Sequence, residues 1–174
     1  MQKGFTIFES IIYVVITSVV VLSLVSISWT FINNHTKEKI VMEVNNNASF
    51  TLDKINYYTN RATALDNSTV YDTNPGTLVI NFPTDPQVTI NTYTKEVTFG
   101  DQAVNITKLQ LTQSGSSYDL TSDFVTVDNF VVTDLSGSLD TTVQIELTLS
   151  YPITSTRTYE YEKSFTTSTT INKK

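Results

Sequence analysis

Apolar and polar positions divide the chain into three stretches with different periods. Between Ser10 and Thr36 there is no Asp, Glu, Lys or Arg, and Ile11 to Ile32 is dominated by Ile, Val, Leu and aromatic residues. At 1.5 Å per residue a helix over that stretch spans roughly 30 Å, the thickness of a bilayer's hydrocarbon core, so it predicts a transmembrane helix. Neither Pro nor Gly interrupts it, so nothing in the stretch forces a kink.

Beyond it the polarity changes while the helical period persists. Ile40, Val44, Ala48, Thr51, Ile55, Tyr58, Ala62 and Leu65 follow steps of three and four, the signature of one buried helical face. Together the two stretches predict a single helix from about Phe5 to Leu65, apolar all round in residues 5–32 and amphipathic in 33–65. The amphipathic half needs a surface on which to bury its stripe.

From Leu78 onward the period falls to two. Val143, Ile145, Leu147 and Leu149 alternate with Gln144, Glu146 and Thr148, as expected of a half-buried strand. Turn signals fall at Pro75-Gly76, Pro83 to Pro86, Gly100-Asp101, Ser114 to Ser117, Ser136 to Ser138 and Pro152. The pair flanking Ser136-Gly137-Ser138 predicts a hairpin with Phe130 to Leu135 against Val143 to Leu149. The fold class expected is α+β: a long amino-terminal helix whose second half packs on a carboxy-terminal antiparallel sheet domain of residues 66–174, with Asp66 to Gly76 as the connection.

Composition narrows the chemistry. The 174 residues leave room for one globular domain of about 100 residues beside the apolar segment. With no Cys and a single His, His35, there is neither a disulfide framework nor a thiolate or His-rich metal site. Net charge is −6, and from Leu65 to Glu162 thirteen acidic residues face only Lys95, Lys108 and Arg157. Such a surface repels phosphate backbones, so nucleic acid is not an expected partner of this domain.

No catalytic constellation emerges: G-x-S-x-G, a phosphate loop and H-E-x-x-H are all absent, and the protein is read as a non-enzyme with no catalytic residue and no required cofactor. Asp119, Asp123 and Asp128, with Asp134 and Asp140 bracketing a loop, raise the question of calcium. The EF-hand spacing is missing, and a solvated acidic surface is the reading adopted for them. Glu160 and Glu162 likewise read as one solvated strand face.

One charge remains to be explained. Glu9 is the only Asp, Glu, Lys or Arg between Gly4 and Thr36. A cleaved secretory signal ending near Ser26 to Trp29 and a plain signal anchor are the alternatives to a specialised role, the second treating Glu9 as a carboxylate near the headgroups.

The residues before the helix bear on the choice. "MQKG" is followed by Phe5 and then by "TIFE", placing Glu9 fifth after Gly4. This resembles the leader of type IV pilins and of the pseudopilins of type II secretion systems, specifically over residues 1 to 65 and only architecturally over the sheet. The resemblance implies that residues 1–4 are a leader removed after Gly4 by a prepilin peptidase, that Phe5 becomes an N-methylated amino terminus, and that Glu9 guides assembly by meeting the terminal ammonium of a neighbouring subunit. It also implies, as partners, membrane lipid before assembly, other pilin or pseudopilin subunits and an inner-membrane assembly platform.

The same resemblance implies a single-pass precursor with a cytoplasmic amino terminus and an extracytoplasmic domain, later part of a pilus or envelope filament. Phe8, Ser10 after the Glu, and the lack of a Pro near Ser26 point within that family to a minor rather than a shaft subunit. A membrane-anchored binding module, or a pilus-borne adhesin, is the alternative function.

Physically, burying Glu in a membrane costs on the order of 3 kcal/mol, and an opposite charge at about 4 Å offsets roughly 4 kcal/mol at intermediate dielectric. Pairing therefore turns the charge into a mark of register.

Overall fold

The computed structural model describes residues 6–137, 141–152 and 159–171. Its elements are one helix, α1 (Ile7–Arg61), and eight strands: β1 (Ala64–Leu65), β2 (Leu78–Asn81), β3 (Val88–Phe99), β4 (Gln102–Gln113), β5 (Ser116–Asp119), β6 (Thr126–Asp134), β7 (Thr141–Ser150) and β8 (Glu162–Ile171). The expected α+β arrangement is present, a long amino-terminal helix with antiparallel sheet packed on its later part. The chain divides into two compact units, Met1–Lys39 and Ile40–Lys174.

In the first unit every apolar side chain of α1 is exposed, Leu22, Trp29 and Phe31 by 68 to 72%. The helix holds its polar side chains close. Ser18, Ser23 and Ser28 donate hydroxyl hydrogen bonds to the carbonyls of Val14, Val19 and Leu24 at 2.7 to 2.8 Å, and Thr30 and Thr36 do the same to Ser26 and Ile32 at 3.0 Å. Hydroxyls satisfied within their own turn can enter hydrocarbon without an orphaned donor.

In the second unit α1 buries Ile40, Val44, Ala48, Thr51, Ile55 and Thr59, in steps of four and three. Thr59 takes the place expected for Tyr58, which is half-buried at the edge of the stripe. Two polar members of the stripe are satisfied: Thr51 donates to the Leu120 carbonyl at 3.0 Å, and Thr59 to the Ile55 carbonyl at 2.7 Å. The helix stops at Arg61 rather than Leu65. Leu65 instead pairs with Ile80 in the β1–β2 ladder, so a residue in helical register is drawn into the sheet.

The sheet is two sheets rather than one. Strands β1 to β5 form an antiparallel sheet in chain order, and β6 to β8 form a second antiparallel sheet. The second contains the expected hairpin, with Phe130 opposite Leu147 and Val132 opposite Ile145. Both contribute to one core in which Ile55, Ile80, Ile90, Leu109, Phe130, Ile145, Leu147 and Leu149 are fully buried.

The connection after β1 covers the outer edge of β6. Asp72 donates its backbone N–H to the Val132 carbonyl at 2.9 Å and Gly76 to that of Phe130 at 2.7 Å, while the Asn74 side chain bonds both Phe130 N–H and the Asp128 carbonyl. Open edges invite pairing with foreign strands, and this loop closes one.

Candidate functional site

The head of α1 is built by its first polar residues. The Thr6 hydroxyl accepts the Glu9 backbone N–H at 3.3 Å, and the Thr6 carbonyl accepts that of Ser10 at 3.2 Å. Thr6 is therefore the N-cap and Glu9 the third helical residue, the spacing of a capping box. A carboxylate in the first turn also complements the positive end of the helix dipole. Sequence reasoning missed this cap, although T-x-x-E before an apolar run is its signal.

Glu9 is exposed at this head. Gly4 and Phe5, the expected cleavage position, lie outside the described residues. The helix that follows is long and apolar enough to cross a membrane, with none of its most apolar window buried inside the protein.

Asp119, Asp128 and Asp134 are exposed, as expected of a solvated surface, and Asp123 is half-buried, but two of the four are held in an ion network. Asp119 and Asp123 converge on Lys108, whose Nζ lies 2.5 Å from Asp119 Oδ2 and 2.5 Å from Asp123 Oδ1. Lys95 bonds both oxygens of Asp123 at 3.0 to 3.1 Å, and the Tyr93 hydroxyl donates to Asp119 at 2.7 Å. β-Sheet alternation explains the meeting, because Tyr93, Lys95 and Lys108 project from the same face of the β3–β4 ladder, with Tyr93 directly opposite Lys108.

The network fixes its own charge states. Burial raises the Asp119 carboxyl, but hydrogen bonds from Lys108 and Tyr93 outweigh this and hold it below the usual range. Hydrogen bonds from Lys108 and Lys95 lower Asp123. Burial pushes the Lys108 ammonium down, and its bonds to Asp119 and Asp123 more than reverse the effect. These two carboxylates are thus committed to lysine ammonium groups.

Of the remaining acidic candidates, Asp134 accepts the Ser136 backbone N–H at 2.8 Å, Asp128 lies on β6, and Asp140 is outside the described residues. Among the described residues no three His, Asp or Glu side chains converge as metal ligands.

No family model, curated protein or solved structure matches the chain. The functional reading therefore stands on the residues themselves. Two features remain distinctive: an apolar helix with one carboxylate in its first turn, and a sheet domain whose two described lysines between residues 65 and 162 are both bound to its own aspartates.

Proposed function

We propose that this chain is a prepilin-type filament subunit, of the minor pilin or pseudopilin kind. It enters the membrane as a precursor with its amino terminus cytoplasmic, loses residues 1–4 to a prepilin peptidase, and assembles with other subunits through α1. The observation that carries the reading is Glu9, the sole charge between Gly4 and Thr36, in the first turn of a helix whose apolar residues from Ile7 to Ile32 are all exposed. In lipid such a helix needs no protein neighbour, yet a carboxylate at its head gains from a cation at one depth only. Cleavage after Gly4 would create that cation as the Phe5 ammonium, and copies in register would pair the two.

Glu9→Ala tests the role of the carboxylate. The variant is expected to be cleaved and to remain in the membrane while its entry into filaments falls severely. Unimpaired incorporation would overturn the assembly role of Glu9. A membrane-anchored binding module would instead lose nothing by the substitution, because its ligand site would lie in the sheet domain.

A further inference from the structure

The loop over β6 closes one sheet edge, and two other edges stay open. On β4 the Leu109 backbone faces away from β3: its N–H bonds the Thr121 hydroxyl at 3.2 Å and its carbonyl accepts the Leu120 N–H at 2.8 Å. Leu109 stands opposite Thr92, and in an antiparallel ladder a pair that turns away on one strand turns away on the other. Thr92, Thr94, Glu96 and Thr98 therefore direct their N–H and C=O groups away from β4, while β2 reaches no further along β3 than Ile90. The side chains of Thr94, Glu96 and Thr98 are exposed.

β8 is the last strand of its sheet. The Tyr151 N–H bonds the Tyr161 carbonyl at 3.0 Å, so the odd-numbered residues of β8 face β7. Glu162, Ser164, Thr166, Ser168 and Thr170 face the other way, and all five are exposed. Open edges are ordinarily guarded by Pro or by a bulge. Neither Thr92–Thr98 nor Ser164–Thr170 contains Pro, and the ladders of β3 with β4 and of β7 with β8 run without a break in register.

The two edges run in opposite senses along α1. Asp85, just before β3, meets Arg61 at 3.0 Å. Lys95, late in β3, bonds Asp123 at 3.0 Å, and the N–H of the adjoining Ser122 bonds Asn47 at 2.7 Å. β3 therefore descends from the level of Arg61 to that of Asn47. β8 ascends, with Lys163 on Asn45 at 3.0 Å and Thr169 on Asn60 at 3.5 Å. Copies held the same way up thus offer each other antiparallel edges, with Thr94 and Thr166 at similar heights.

The other described strands do not fit the β3 edge. β5 runs in the same sense as β3, β4 is flanked by β5 and by Leu120 to Thr126, and β6 is sealed by its loop. A contact between unlike edges of identical copies is head-to-tail, the kind that propagates into an open filament.

We propose that the free edge of β8 in one copy adds as a strand to the free edge of β3, Thr92 to Thr98, in the next. Backbone hydrogen bonds supply the contact, and hydroxyl pairs of the kind that already join β7 to β8, Thr148 with Ser164 at 2.8 Å and Thr142 with Thr170 at 3.0 Å, support it. The inference rests on the filament reading above and gives the sheet domain its own contact between subunits.

The chain has no Cys, which makes cross-linking clean. Full-length protein carrying Thr94→Cys is co-expressed in membranes with full-length protein carrying Ser164→Cys, Thr166→Cys or Ser168→Cys, one of the two affinity-tagged, and treated with a short bifunctional thiol reagent. The expected product is a cross-linked dimer of unlike copies, strongest at one of the three positions because register moves in two-residue steps. Most of it should be lost when Glu96→Pro is added to the first copy, since this removes an N–H that faces outward in a single copy and is tolerated there by the fold. Thr98→Lys in the first copy with Glu162→Lys in the second alters only exposed side chains and should reduce the product as well. Co-purification of tagged with untagged copies without a cross-link at any of the three positions, or a cross-link indifferent to both the proline and the lysines, would overturn strand addition and leave the filament reading standing. Failure of the copies to co-purify at all would overturn both.

Discussion

Lys108 lies with its Nζ 2.5 Å from Asp119 Oδ2 while only 3% of the lysine side chain reaches solvent, against 36% of the aspartate's. The asymmetry sets the cost of breaking the network. Lys108→Met leaves carboxylates that can turn towards water, whereas Asp119→Asn with Asp123→Asn leaves a buried ammonium without a counter-charge. The lysine variant is expected to lose about 1 kcal/mol and the double aspartate variant about 3 kcal/mol. Urea unfolding of the detergent-solubilised chain, followed by circular dichroism, measures both, and the reverse order would contradict the account.

The same network predicts two limits in pH. Asp119 and Asp123 have lowered values in the folded state, so their stabilisation is present above the ordinary aspartate value, about 4, and is lost as pH falls further. Lys108 has a raised value, so its contribution is complete below the ordinary lysine value, about 10.5, and is lost as pH climbs through the folded value. A midpoint-versus-pH curve for the sheet domain should fall on both flanks. In Lys108→Met the alkaline fall attributable to this lysine should disappear.

Gly76 gives a steric test of the covered β6 edge. A Cβ there would lie 3.1 Å from the Phe130 carbonyl oxygen and 3.3 Å from Val132 N, both backbone atoms that cannot swing aside. Gly76→Val should therefore lift the loop from β6 and cost about 1–3 kcal/mol, and in the milder Gly76→Ala variant the amide of residue 76 should exchange faster than in the parent. Unchanged exchange would mean the loop does not seal that edge.

The leader makes its own prediction. Gly4→Val should block cleavage and leave full-length precursor in the membrane, with no loss of insertion because the apolar stretch is untouched. Normal processing of this variant, judged by intact mass, would count against a prepilin-type signal.

How much of this was legible in the sequence depended on how local the signal was. The apolar run and the stripe from Ile40 to Ile55 are set by spacing within one helix, and both were readable, as was the Phe130–Leu147 hairpin. The helix end was misplaced because Leu65 satisfies the helical period yet gains more from pairing with Ile80. β3 is one 12-residue strand whose polar Asn91 to Thr94 centre carries no apolar alternation and is held by the full ladder with β4. β5 has no apolar alternation, being exposed at all four residues. It follows a tight turn in which Ser114 and Gly115 both have positive φ, 53° and 79°, a hairpin geometry that Ser-Gly signals only weakly.

The ion network was the least legible part. Its members at 93, 95, 108, 119 and 123 meet only through strand register, and an aspartate in an acidic chain reads by default as solvated. The one available signal was strand parity: Lys108 shares a face with Ile106, and a lysine on a buried face is almost never left unpaired.

The most direct measurement is intact mass with amino-terminal sequencing of the protein recovered from its native membrane. A chain beginning at Phe5, with or without one added methyl group, is the predicted result and would supply the ammonium that gives Glu9 its role. A chain beginning at Met1, or one cut near Trp29, would contradict the account and leave Glu9 as a first-turn carboxylate at a membrane surface.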